Sequence, residues 1–168
     1  MATYYRYKRP ITNSGAITTE SMTLEEWLAD EATQYAPCLA IKDNDGDYHD
    51  IIEFVADIGV VHNDIDGDDA GRNKKTNARM KRDFLENKHT LDIKLINHVP
   101  QSFAAKVRNL IMTTKSKLSY YAYYQNPCAN GKSEMEFYTS TINFGAQRYD
   151  RQRSRCFYDG ITFNMIEM

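Results

Sequence analysis

The sequence predicts a mainly β, α+β protein: an antiparallel β-sandwich or small barrel with one packed helix, preceded by an N-terminal arm and a short helix. Three observations predict it. Leu91, Ile93 and Leu95 alternate with Thr90, Asp92 and Lys94, the pattern of a strand with one buried face. Phe103, Val107, Leu110 and Ile111 fall at i, i+4, i+7 and i+8, one apolar stripe of a helix near 100–113. The remaining apolar segments follow one another without strand–helix–strand alternation, which argues against a parallel α/β sheet.

The elements read in order as follows. In 2–21, Tyr4, Tyr5 and Tyr7 alternate loosely with Arg6, Lys8 and Arg9 before Pro10 and a small, polar stretch; such a segment is expected to be an assembly arm that orders on a partner. Thr23 and Glu26 have capping-box spacing, and Leu24, Trp27 and Leu28 supply the stripe of a short helix, with Pro37 ending the segment. Residues 1–37 therefore form an arm and short helix, and 38–168 the β domain. Cys38 to Lys42 reads as a strand followed by an Asn44-Asp45-Gly46 turn. Asp50 to Val61 reads as one or two strands, and Asn63 to Asn77 as a long exposed loop. After the 90–96 strand and the helix that starts near Pro100, Lys117 to Gln125, Ser133 to Phe144 and Cys156 to Ile166 read as strands. A turn over Asn126 to Lys132 joins the first two.

Composition narrows the function. The net charge is −2, from 21 Lys and Arg against 23 Asp and Glu, so the whole molecule carries no basic footprint for nucleic acid. The 12 Tyr outnumber the 7 Phe, which suits half-buried surfaces where a ring packs and its hydroxyl stays wet. Cys38, Cys128 and Cys156 are odd in number and widely spaced, and fit neither a disulfide framework nor a paired metal motif; reduced thiols are expected, although Cys128 and Cys156 could meet on neighbouring strands. No apolar run reaches membrane-spanning length. The first nine residues lead into no apolar stretch of a signal peptide, so synthesis in a host cytoplasm and no membrane partner are expected.

Motifs for chemistry are scarce. Asp43-Asn44-Asp45-Gly46-Asp47 and Asp64-Ile65-Asp66-Gly67-Asp68 look like calcium loops, but Gly falls at the fourth position rather than the sixth. His49, His62, His89 and His98 show no metal-ligand spacing, and no nucleophile elbow or phosphate loop is present. No catalytic residue, metal or cofactor is expected. The charge layout says more. Asp43 to Asp69 is acidic with no Lys or Arg; Arg72, Lys74, Lys75, Arg79, Lys81 and Arg82 follow with no acid between them. Arg72, Lys74, Lys75, Arg79 and Arg82 of one copy facing Asp64, Asp66, Asp68 and Asp69 of the next would make a head-to-tail contact that closes into a ring. The alternative is a nucleic-acid-binding module using Arg72 to Arg82 and Arg148, Arg151, Arg153 and Arg155 beside Tyr149 and Phe157.

The part from Ile58 onward carries a dispersed set of short matches: Asp66, Gly71-Arg72, Met80, Arg82, Lys88, Leu91 to Leu95, Leu110, Tyr123 to Pro127, Glu136-Phe137-Tyr138 and Gly160 to Glu167. In these it resembles a family of small proteins from the tail gene clusters of phages and prophages of Gram-positive bacteria, akin to distal-tail and tail-tube ring proteins. Residues 1–37 are an addition to that pattern. The resemblance implies a non-enzymatic structural protein of a bacteriophage tail virion, a subunit of the tail tube, distal tail or baseplate hub. Its partners would be itself, as a hexameric ring, and adjacent tail proteins, with DNA passing the channel without specific binding.

Overall fold

A computed structural model describes residues 2–10, 16–30, 38–66, 71–72, 80–81, 84–112, 117–129, 131–152 and 154–168, with the backbone alone at 63–66, 71–72, 80–81 and 84–87. The protein is mainly β with two helices and mixed and antiparallel sheets among these residues.

The first surprise lies at the N-terminus. Strand β1 (Tyr4–Lys8) turns back as β2 (Thr18–Met22) in an antiparallel hairpin, and its other edge runs parallel to β4 (Tyr48–Asp50). The expected assembly arm is thus corrected to a strand inside the sheet. Tyr4 and Tyr7 are 2% and 3% exposed in this chain's own core, and Tyr5 is half-buried. A strand covered on both faces needs apolar or paired residues at every position. Arg6 breaks the apolar reading in sequence but is buried against carboxylates.

Helix α1 (Leu24–Ala29) begins with the predicted capping box: Glu26 N–H donates to Thr23 Oγ1, and Thr23 N–H donates to Glu26 Oε2. Of its predicted stripe only Trp27 is buried; Leu24 and Leu28 are more than one-third exposed. Trp27 packs with Tyr4, which stacks on Tyr48 at 4.6 Å between ring centroids, and with Tyr123. This aromatic cluster, with Cys38 and Ala40, forms a smaller second core that fastens the N-terminal hairpin.

Strand β3 (Leu39–Lys42) pairs with β4 across the predicted Asp/Gly turn, where Gly46 has φ +94°. A single 3-10 turn (Ile52–Phe54) leads into β5 (Val55–Asp66), which pairs over its length with β8 (Phe84–Leu95). Here the expected loop over Asn63 to Asn77 is corrected: Asn63 to Asp66 continue the strand, and β6 (Gly71–Arg72) pairs with β7 (Met80–Lys81). The sequence hid this extension because its residues are polar, and a two-stranded ribbon needs no buried face to complete its backbone hydrogen bonds.

After β9 (Val99–Pro100), α2 (Gln101–Ile111) buries Phe103, Val107, Leu110 and Ile111, the predicted stripe. Strands β10 (Tyr120–Asn126) and β11 (Gly131–Tyr138) form the predicted hairpin. The short β12 (Ile142–Asn143) pairs with β15 (Thr162–Glu167); β13 (Ala146–Asp150), not expected from sequence, pairs with β14 (Arg155–Asp159), and β14 pairs with β9.

The main sheet runs β2-β1-β4-β3-β10-β11-β15-β8-β5. It curls around its core. Tyr124 of β10 hydrogen-bonds His89 of β8 at 2.7 Å although β11 and β15 lie between their strands; three strand spacings would put the backbones about 14 Å apart in a flat sheet. Leu39 and Ile41 from one wing, Leu91, Ile93 and Leu95 from the other, Phe137 and Met165 between them, and the α2 stripe share this interior. Each fully buried Leu or Ile contributes roughly 1.5–3 kcal/mol.

Candidate functional site

Curling brings the tip of the β10–β11 hairpin against the β5–β8 pair. His62 and His89 face each other in register across that pair, and His62 Nδ1 lies 3.1 Å from His89 Nε2. Cys128, in the turn after β10, places Sγ 3.9 Å from His62 Nδ1. Donor atoms of the three residues all lie within 4.8 Å of one another. His89 is buried, whereas His62 and Cys128 are exposed.

Beneath the cluster the supporting groups are ordered. Tyr124 Oη is 2.7 Å from His89 Nδ1, and Glu167 Oε2 is 3.4 Å from the same nitrogen while accepting a 2.7 Å hydrogen bond from His89 N–H. A carboxylate can only accept, so it favours the tautomer with the proton on Nδ1 and the Nε2 lone pair turned toward His62. Burial pushes the Tyr124 phenol up to about 12, helped by Glu167 and Cys128, so the hydroxyl stays protonated. The turn is braced by Asn126, whose Oδ1 accepts from Cys128 N–H. No sequence motif marks this cluster, since its residues lie on three separate elements. The usable signal was the hairpin register, visible only once 63–66 are read as strand.

Two other polar clusters are buried. Asp43 Oδ2 pairs with His49 Nε2 at 2.8 Å, and His49 Nδ1 with Tyr7 Oη at 2.6 Å. Burial pushes the Asp43 carboxyl up, but hydrogen bonds from His49 and the N–H groups of Asp47 and Asp45 outweigh it and hold it below the usual range. The Asp43 segment, which resembles a calcium loop, is thereby consumed in turn and histidine bonds. Deeper in, Asp50 accepts from Trp27 Nε1, Arg6 Nε and Ile52 N–H, and Arg6 also reaches Asp30. Among the described residues no buried side-chain polar atom lacks a partner, which suits a structural role for both networks.

A groove of about 900 Å³ lies between the β13–β14 hairpin and the start of α2, lined in part by Arg9, His98, Arg148 and Arg155. Arg148 is paired with Asp159, whose carboxyl is held low by the His98 N–H and by Arg148. Tyr149 is 58% exposed beside it. Arg153 lies outside the described residues.

The residues expected at intersubunit contacts fall mostly beyond view. Asp64, Asp66 and Arg72 are placed by backbone alone, at the far end of β5 and in β6; Asp68, Asp69, Lys74, Lys75, Arg79 and Arg82 lie outside the described residues. Cys128 lies in the turn between β10 and β11 and Cys156 in β14, and Cys38, Cys128 and Cys156 are all free thiols. Among the described residues no helix is long and apolar enough to cross a membrane. No protein-family model matches the chain, and no curated protein matches its sequence.

Proposed function

We propose that this chain is a non-enzymatic structural subunit of a bacteriophage tail, assembling head-to-tail into a hexameric ring of the tube, distal tail or baseplate hub. The observation that carries the reading is the pair of unlike edges on the main sheet. It ends at β2 on one side and β5 on the other, with no strand paired to either outer edge among the described residues. Open edges invite pairing with another chain. Joining two different edges is a heterologous contact, and such contacts propagate into rings or filaments.

The β5–β8 ribbon supports the same role. Strand β15 meets β8 only from Thr90 to Lys94, so the half running from His62 to Asp66 and Phe84 to His89 pairs with itself alone among the described residues. A ribbon whose sequence is acidic at Asp64 and Asp66 and basic from Arg72 onward suits register-setting contact between copies. The side chains of Leu91, Ile93 and Leu95 serve this chain's own core, so lateral association would use backbone edges and the ribbon. Neighbouring tail proteins would cap the ring, DNA would pass its channel, and the protein would reside in the virion.

Sedimentation and native mass spectrometry should find a closed multiple of the 19.4 kDa chain, and electron microscopy a ring. A strictly monomeric protein absent from virus particles refutes the proposal. The exposed Tyr149 next to Arg148 and Arg151 favours a second reading, single-stranded nucleic-acid binding by stacking and charge. That reading requires binding that weakens steeply with salt, and fails if none occurs at low salt.

A further inference from the structure

We propose that His62, His89 and Cys128 form a transition-metal site, with Zn²⁺ as the ion its donors fit. The two nitrogens and one thiol are the ligand set of a borderline-soft ion, not of calcium or magnesium. The two edges that meet at His62 fit as well. Bond lengths of about 2.05 Å to nitrogen and about 2.3 Å to sulfur put tetrahedral donors about 3.3 Å apart for two nitrogens and about 3.6 Å for nitrogen and sulfur. The observed 3.1 Å and 3.9 Å are within a few tenths of an ångström of those edges.

The support beneath His89 is what a metal-bound imidazole uses. Its Nδ1 faces the Glu167 carboxylate and the Tyr124 hydroxyl, leaving Nε2 for the ion; carboxylate-backed histidines of this kind orient the ring and raise its basicity. Without metal, the His62 Nδ1–H can donate to His89 Nε2. With metal, that proton moves to His62 Nε2, both facing nitrogens coordinate, and Cys128 loses its thiol proton to solvent. One ion therefore releases one proton and no oxidant is involved. Because His62 and Cys128 are exposed, the fourth position takes water in the isolated chain. The ion would tie the base of the β5–β8 ribbon to the β10–β11 turn, two parts that share no direct strand pairing among the described residues. This inference stands independently of the tail assignment.

Cobalt is the direct probe. Reduced, metal-stripped full-length protein titrated with Co²⁺ should bind one ion per chain, with the strong visible bands of a tetrahedral site and a thiolate-to-metal charge-transfer band. Zn²⁺ should displace the cobalt and bleach both. Cys128→Ser should abolish the charge-transfer band. His62→Ala should weaken binding by about 100-fold or more, beyond the 10–100-fold typical of losing a supporting residue such as Glu167 in Glu167→Gln. Both ligand substitutions are at exposed positions, and unchanged Trp27 fluorescence verifies that each variant folds. Zn²⁺ should also shield Cys128 from alkylation while Cys156 still reacts; Cys38, buried with its thiol pushed up to about 12, stays unreactive in both conditions. Absence of a thiolate band in the wild type, or cobalt binding that survives both ligand substitutions unchanged, overturns the proposal.

Discussion

Replacing Asp50 by Ala should be among the most damaging single changes in this chain. Asp50 is 1% exposed and accepts hydrogen bonds from Trp27 Nε1 at 2.8 Å, Arg6 Nε at 3.3 Å and Ile52 N–H at 3.0 Å. Its loss leaves a 5% exposed guanidinium with less compensation and deprives a fully buried indole N–H of its acceptor. Breaking a buried ion pair by removing one partner costs about 3–5 kcal/mol, and a stranded neutral donor about 1–3 kcal/mol. Arg6 keeps Asp30, at 2.8 Å, which offsets part of this, so the expected total is about 4 kcal/mol, or a Tm lower by about 10 °C for a chain of this size. Asp30→Ala is the control. Its side chain is 35% exposed, and a partly solvated pair of that kind is worth about 1 kcal/mol or less. Urea unfolding followed through Trp27, the single tryptophan, measures both variants. The probe lies inside the perturbed cluster, so far-UV circular dichroism must give the same midpoint. A cost below about 1 kcal/mol for Asp50→Ala at an unchanged m-value would refute the argument that this network fastens the N-terminal hairpin.

Two further perturbations test other parts of the fold. Gly145 has φ +64°, and a Cβ there would lie 2.1 Å from the Asp159 carbonyl oxygen; Gly145→Ala should cost more than the roughly 1–3 kcal/mol of backbone strain alone, whereas Gly46→Ala, with nothing near its added methyl, should carry only that backbone part. Equal costs in thermal melts would remove the steric argument. Asp43 titrates below its ordinary range when folded, so the unfolded chain binds its proton first as pH falls; the stability it contributes is present above about pH 4 and is lost below it. Asp43→Asn should therefore flatten part of the acid limb of stability against pH, leaving the share of Asp159, and an unchanged slope would show that the histidine and turn bonds do not hold the carboxylate.

What could be read from sequence followed from how local the signal was. The capping box at Thr23 and Glu26, the α2 stripe and the alternation around Leu91 each lie within a single helix or strand, and each occurs as expected. The β1 strand was missed because Arg6 occupies a core position that pairing with Asp50 and Asp30, distant in sequence, helps make tolerable. Strand β13 was missed for the opposite reason: Ala146 to Tyr149 are all exposed, so no apolar alternation marks it. The long ribbon read as a loop because its far half is polar. That error also concealed the histidine pair, since His62 and His89 become neighbours only in the β5–β8 register.

The placement of β15 governs how the protein can be made. It follows β5, β8, β10 and β11 in sequence, yet its hydrogen bonds join β11 on one side to β8 on the other. During translation, the β10–β11 and β5–β8 hairpins can each form as soon as they clear the ribosome tunnel. The sheet stays in two unjoined pieces until β15 follows. A keystone strand threaded between two finished hairpins raises contact order and slows folding. It also leaves the nascent chain with two temporarily bare borders, the stage at which misassembly between neighbouring polypeptides is easiest.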